Sequence, residues 1–266
     1  MSTLLERARR GKLILGMVHL RPLPGSPRHA GETTDAIAGA AVEDARAILA
    51  AGFDGYIVEN FGDAPFFKGP VPPHVLTIFT RIVLELPREG ALVGINVLRN
   101  DARGALAVAA ASGAGMVRVN VHTGAMVTDQ GLIEGDAAST TRYRQLIAPR
   151  AAILADVRVK HAAPLGTTFD LCESARETAY RGLADGLIVT GKATGSPVSL
   201  EDLRLVREAV PDRLLLAGSG VTRETIRDAL QTADGVIAGT SIKRDGRVDE
   251  PVDGDRARSL VREARR

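Results

Sequence analysis

The residues able to do chemistry in this 266-residue chain gather at the ends of short apolar runs. His19 follows LILGMV, Glu59 ends GYIVE, and Asn96 lies near the end of LVGINV. Arg118 and Asn120 alternate in MVRVN, while Asp156, Arg158 and Lys160 alternate in ILADVRVK, with His161 next in the chain. Alternate residues of a strand share a face, so each of these sets points one way. A histidine titrating near neutrality can act as an acid or a base, or it can be hydrogen-bonded to a neighbouring loop. A carboxylate such as Glu59 can be a base, a metal ligand or a salt-bridge member. Asp156 with Arg118 and Arg158 reads either as an ion-pair layer or as part of a catalytic set, Arg158 leaning to the first and Lys160 to the second. The chemistry this set suits is removal of a proton α to a carbonyl. One of Glu59, Asp156 or His19 would be the base, and Lys160 or Asn120 would hold the enediolate oxygen.

A second group of residues suits an anion. AGSGVT (217–222) and AGTSIK (238–243) expose backbone N–H groups on small residues: Gly218, Ser219 and Gly220 in the first, Gly239 and Thr240 in the second. Lys192, in TGKATGSP (190–197), can add a point charge to a phosphate; a Schiff base there has less support. Metal chemistry has weaker signals. His122, His161, Asp129, Glu59 and Asp156 are potential ligands, but no HxH, HxD or HExxH spacing occurs. No cofactor is required by these residues, and a divalent metal held between separate strand ends stays open. Cys172 is the single cysteine, and its place in LCESARETAY predicts a small buried residue.

Something must bring these scattered positions together. The apolar runs are 13–18, 55–59, 92–97, 116–120, 153–159, 186–190, 214–218 and 235–239, each of strand length and rich in Val, Ile and Leu. Between them lie helical patterns. Ile37, Ala41, Ala45 and Ile48 share one face; Leu171, Ala175, Thr178 and Ala179 another; Leu203, Val206 and Val210 a third; Ala257, Leu260, Val261 and Ala264 a fourth. Asp101, Ser199 and Thr222 are expected as N-caps, and Pro87, Pro149 and Pro211 as stops. Eight strand–helix units predict an α/β fold of the (β/α)8 type, a TIM barrel with a parallel eight-stranded barrel, as one domain over 1–266. A doubly wound open sheet would call for a GxGxxG turn after the first strand, and HLRPLPGSP stands there instead. In such a barrel the strand ends carry the chemistry, and the loops after the seventh and eighth strands commonly hold a phosphate.

Composition removes other classes. Aromatic residues make up 3% of the chain, with no Trp, against 28 Gly. Stacking platforms for single-stranded nucleic acid are therefore scarce. Lys and Arg number 34 and Asp and Glu 32, a net charge of +2, too balanced for a dedicated polyanion binder. No nucleic-acid partner is expected. The charged start MSTLLERARRGK is unlike a secretory signal, and no run has transmembrane length, so no membrane insertion and a cytoplasmic location are expected. A homo-oligomer stays open.

Several stretches resemble the BtpA/SgcQ family: GMVHLRPLPGSP (16–27), DGYIVENFGDAPF (54–66), GINVLRND (94–101), VRVNVHTGAMVTDQGLIEG (117–135), ADVRVKHAAPL (155–165), IVTGKATG (188–195), GSGVT (218–222) and GTSIKRDG (239–246). The resemblance spans nearly the whole chain and implies a ribulose-phosphate-binding type of barrel. It also implies a tie to a cyanobacterial factor for photosystem I accumulation, to sugar-utilisation genes, and to relatives labelled as phosphoribosylanthranilate isomerase. That isomerase places a thiol base at the first strand end, where this chain has His19. Residues and resemblance together predict an enzyme on a phosphorylated sugar or sugar derivative: an isomerase, epimerase or aldol-type lyase. The alternatives are a non-catalytic assembly or regulatory factor and a metal-dependent hydrolase.

Overall fold

The structure is a computed structural model that describes residues 3–158, 162–165, 170–191, 197–218 and 220–266. In chain order its elements are α1 (Thr3–Ala8), β1 (Leu13–His19), α2 (Thr34–Ala50), β2 (Gly55–Glu59), α3 (Pro73–Glu85), β3 (Leu92–Asn96), α4 (Ala102–Ser112) and β4 (Met116–Val119). Then come β5 (Ala125–Thr128), β6 (Gly131–Glu134), α5 (Ala137–Ile147), β7 (Ala152–Arg158), β8 (Ala162–Pro164), α6 (Leu171–Arg176) and β9 (Gly186–Thr190). The chain ends with α7 (Leu200–Ala209), β10 (Leu214–Gly218), α8 (Ile226–Thr232), β11 (Gly235–Ala238) and α9 (Gly254–Ala264). Eight of the strands close a parallel barrel in the order β1-β11-β10-β9-β7-β4-β3-β2. This is a TIM barrel, and its strands match the eight apolar runs to within a residue or two at each end.

Period-two alternation divides each strand between two cores. Outward residues such as Ile14, Val18, Tyr56, Val58, Ile95 and Val117 pack under the helices. Inward residues, among them Leu15, Met17, Ile57, Met116, Leu154, Ile188, Leu216 and Ile237, fill the lower barrel. The N-terminal charges conceal a further element. Leu4 of α1 is 1% exposed and belongs to that interior cluster, with Leu5 and Ala8 packed beside it, so α1 stoppers the lower end.

Three strands open with the same Asp-Gly pair. Asp54, Asp185 and Asp234 precede β2, β9 and β11, and each carboxylate accepts the amide of a residue in the neighbouring strand: Ile14 at 2.9 Å, Ile153 at 2.8 Å and Leu215 at 2.9 Å. Each also accepts an arginine, from Arg265, Arg144 and Arg207 respectively. The glycine that follows is required by closeness. A Cβ on Gly55 would lie 1.9 Å from the Leu92 carbonyl oxygen, and one on Gly235 would lie 2.6 Å from that of Leu13.

Asp101 and Ser199 cap α4 and α7 as expected, accepting from the amides of Gly104 and Asp202. Thr222 does not cap α8. Its carbonyl accepts from the amides of Thr225 and Ile226, so the chain turns once before the helix and Thr225 takes the cap position. After α6 the helix widens into a π-helical turn, Glu177–Arg181, that still buries Thr178 and Ala179. Cys172 is half-buried rather than buried, its thiol 3.8 Å from the Leu205 carbonyl where α6 meets α7. A three-stranded antiparallel sheet, β6-β5-β8, lies apart from the barrel. It is inserted after β4 and β7, and Met126 and Ile133 pack with Val121 beneath it.

Candidate active site

Above the apolar filling, the next inward position of each strand is polar or glycine. His19, Glu59, Asn96, Arg118 and Asp156 stand at this level on β1, β2, β3, β4 and β7, with Thr190, Gly218 and Gly239 completing the circuit. Asn96 donates to Glu59 Oε2 at 2.6 Å, and His19 Nε2 lies 3.9 Å from Glu59 Oε1. On the opposite side, Arg118 donates through one terminal nitrogen to both Asp156 oxygens, at 3.1 and 3.0 Å. Asn120 donates to Asp156 Oδ2 at 2.8 Å. The ion-pair reading of Asp156 with Arg118 therefore holds, and Asn120 has its amide committed to that carboxylate.

The electrostatics follow from burial among these charges. Burial works against the Arg118 cation, but Asp156 and Glu59 outweigh it and hold the guanidinium above its ordinary range. Arg99, just past β3 and also buried, goes the other way. Desolvation lowers it, partly offset by Asp156, Glu59 and Asp129. Arg99 was not singled out from the sequence because it lies beyond the strand's alternation.

The loops above this floor are tied by short polar side chains, which explains the unusual motifs there. In ENFGDAPF, Asn60 accepts from the Leu98 amide at 2.8 Å and donates to Asp63 at 3.1 Å. Asp63 in turn accepts from the Leu23 amide at 2.8 Å, fixing the Pro-Gly loop after β1. Burial raises the Asp63 carboxyl, with the Leu23 and Asn60 bonds opposing. Gly62 lets the two loops touch, since a Cβ there would lie 2.4 Å from the Pro22 nitrogen. Asn100 exchanges two hydrogen bonds with Val121, at 2.8 and 2.9 Å. His122, weighed as a metal ligand, is buried with Nε2 2.8 Å from the Gly182 carbonyl.

A cavity of about 460 Å³ opens over the floor. His19, Glu59, Phe61 and Arg118 line one part; Gly220, Thr222, Gly239, Thr240, Ser241 and Arg256 line another. The two glycine loops thus share a cavity with the candidate base. Gly218 sits just below, packed so that a Cβ would come 2.7 Å from Ile188. A Cβ on Gly239 would come 3.3 Å from the His19 ring. Phe61 packs against His19 in a tilted arrangement, with ring centroids 4.9 Å apart. Neither Phe61 nor Arg256 was legible in advance, because both reach the cavity from outside the strand ends. Arg256 arrives from α9, its Nε donating to the Ser241 carbonyl at 3.1 Å. Lys160, His161, Lys192 and Ser219 lie outside the described residues. Among the described residues no group of three or more His, Cys, Asp or Glu could hold a metal ion, and no helix is long and apolar enough to cross a membrane.

Fold and site together define a TIM barrel with a charged floor and an adjoining rim of small residues. Solved structures share the fold. Thiamine phosphate pyrophosphorylase from Pyrococcus furiosus superposes with a TM-score of 0.59 at 17% identity, over 97% of this chain and 98% of that one. Phosphoribosyl anthranilate isomerase from Thermus thermophilus does so with a TM-score of 0.55 at 10% identity, over 94% and 97%. The chain belongs to the BtpA family, whose sequence model matches residues 10–266. It is 49% identical to the photosystem I biogenesis protein BtpA of Synechocystis over 93% of this chain and 86% of that protein. It is 46% identical to an uncharacterized protein of Pyrococcus furiosus over 94% of each.

Proposed function

We propose that this protein is an enzyme acting on a phosphorylated sugar or sugar derivative, by isomerisation, epimerisation or aldol-type cleavage. The observation that carries this reading is the single cavity that joins Glu59, His19 and Arg118 to the glycine loops at Gly220 and Gly239–Thr240. Backbone amides in those loops, with Arg256, suit a phosphate. Asp156 is engaged by Arg118 and Asn120, which leaves Glu59, held by Asn96 and beside His19, as the better base. No resident cofactor enters this chemistry. The names of the fold relatives, a thiamine phosphate pyrophosphorylase and a phosphoribosyl anthranilate isomerase, are in keeping with a phosphorylated substrate.

Thermal-shift measurement against sugar phosphates and the matching free sugars tests the reading. A ligand at about 100 times its Kd adds about 2.7 kcal/mol to stability. Stabilisation by a phosphorylated compound and not by its free sugar is the expected result. If no phosphorylated compound raises the melting temperature, the reading is lost. On the substrate so found, Glu59→Gln should remove turnover while retaining binding.

A second reading, a non-catalytic assembly factor, is favoured by one observation: the 49% identity to a photosystem I biogenesis protein. It requires association with a partner that depends on ligand while no product forms.

A further inference from the structure

We infer that Arg118 receives the substrate's carbonyl oxygen, so that the substrate class is a phosphorylated compound with a carbonyl carbon flanked by an acidic C–H, an aldose or ketose phosphate. This rests on the phosphate reading above and extends it to the other end of the cavity.

The argument begins with unused donors. The Arg118 side chain is 5% exposed and lines the cavity. A guanidinium carries five N–H donors. Here one terminal nitrogen makes both bonds to Asp156. Nε is buried and, among the described residues, has no partner; the other terminal nitrogen makes no hydrogen bond to them either. Buried polar groups are seldom left unpaired, because each costs the free energy of its lost water. Nε is enclosed, whereas the second terminal nitrogen is not, and on a side chain that lines the cavity an unused donor of this kind is the arrangement expected where a ligand oxygen completes the set.

The surroundings hold that cation still. Asp156, fully buried, grips one edge of the guanidinium, and Asn120 fixes Asp156 from the side. Asn120 Nδ2 donates to Asp156 Oδ2, so this N–H is placed for the carboxylate rather than for an oxyanion. Arg118 therefore takes the role that Lys160 or Asn120 was expected to fill, and Asp156 and Asn120 are positioning residues. Fixed donors aimed at a developing charge stabilise it without reorganising.

The step balances with groups already named. Glu59 accepts the proton from the carbon next to the carbonyl. The C–H electron pair becomes the C=C bond of the enediolate, and the carbonyl π pair moves onto oxygen, against Arg118. Return of the proton to the opposite face of the same carbon completes an epimerisation. For isomerisation, the hydroxyl proton on the deprotonated carbon passes to the enediolate oxygen, the C–O bond left behind becomes the new carbonyl, and the C=C pair takes the proton back from Glu59 at the former carbonyl carbon.

Sugar-acid phosphates mimic the enediolate, because a carboxylate carries its charge on planar oxygens. The test compares the full chain's affinity for 2-phosphoglycolate, 3-phosphoglycerate, 4-phosphoerythronate and 5-phosphoribonate with that for the alcohol phosphates of equal length, by calorimetry. At the matching length the acid should bind at least tenfold tighter, which is 1.4 kcal/mol. Arg118→Met should reduce that acid-to-alcohol ratio to near unity. Should the Met variant fail to fold, Arg118→Lys, which keeps a charge for Asp156 and loses the fork, should reduce the ratio at least threefold. Equal binding of acid and alcohol at every length overturns the role of Arg118 and leaves the phosphate site standing. A preference unchanged in Arg118→Lys also overturns it. If neither series binds, the phosphate reading falls and this inference falls with it.

Discussion

Replacing Lys243 with Met should destabilise the protein by about 3–5 kcal/mol, the usual cost of stripping one partner from a buried ion pair. Lys243 is 1% exposed, and its ammonium lies 2.5 Å from Asp44 Oδ2 on α2. The second Asp44 oxygen accepts the Val252 amide at 2.6 Å. Asp44 thus ties two points, Lys243 and Val252, of the segment between β11 and α9, which also carries Thr240 and Ser241 of the cavity rim. Lys243→Met leaves the carboxylate buried with only the amide for company. Asp44→Asn keeps an acceptor for Val252 but strands the ammonium. The double variant contains no ion to desolvate, so it should cost less than the sum of the single changes by about 2 kcal/mol or more. At about 2–4 °C per kcal/mol, Lys243→Met should melt about 6–20 °C below the parent. Urea unfolding of the four proteins gives the cycle. A Lys243→Met variant within about 1 kcal/mol of the parent, or strictly additive changes, would refute the reasoning.

Leu4→Ala should cost about 2–5 kcal/mol, as for other leucines lost from a packed core, although the residue lies close to the chain's start; the urea midpoint measures it, and a loss below about 1 kcal/mol would mean that α1 does not seal the barrel. Burial holds the His122 imidazole below its ordinary range, with the Gly182 carbonyl acting the other way. The unfolded chain therefore takes up this proton first, and His122 withdraws stability as pH falls below about 6.5. His122→Gln, which can still donate to Gly182, should show a shallower loss of unfolding free energy between about pH 7 and pH 5; identical slopes would contradict the assignment.

The strands were legible because their physics is simple. A strand covered by helices outside and packed inside reads as a continuous apolar run, and GYIVE, GLIVT and LLLAG match β2, β9 and β10 residue for residue. His19, Glu59 and Asn96 were singled out by their place at the ends of those runs and Asp156 by alternation, and the structure brings the four to one level of the barrel. The antiparallel sheet was not legible. β5, β6 and β8 are too short for a periodic signal, and their stretch was notable only through family resemblance. α1 was hidden by Glu6, Arg7, Arg9 and Arg10, since one buried leucine leaves no pattern. Arg118 was read as an ion-pair partner, which it is. That only one of its nitrogens would be used depends on side-chain geometry that no spacing encodes. Arg256 needed the closure of the ring, which brings α9 back over Ser241.

The Asp-Gly openings of β2, β9 and β11 place a ring of carboxylates and arginines at the lower rim, while the reactive groups stand at the mouth. Along β1, the amide held by Asp54 belongs to Ile14, and His19 is five residues further up, about 17 Å at the usual strand rise. Between them, among the described residues, lies the apolar filling around Leu15, Met17, Ile57 and Leu216. Among the described residues, this hydrocarbon layer carries no titrating group. The two charge systems are therefore insulated from each other: the foundation can be strengthened or weakened without retuning the proton chemistry above it, and the mouth can change its chemistry while the rim continues to fix the register of the strands.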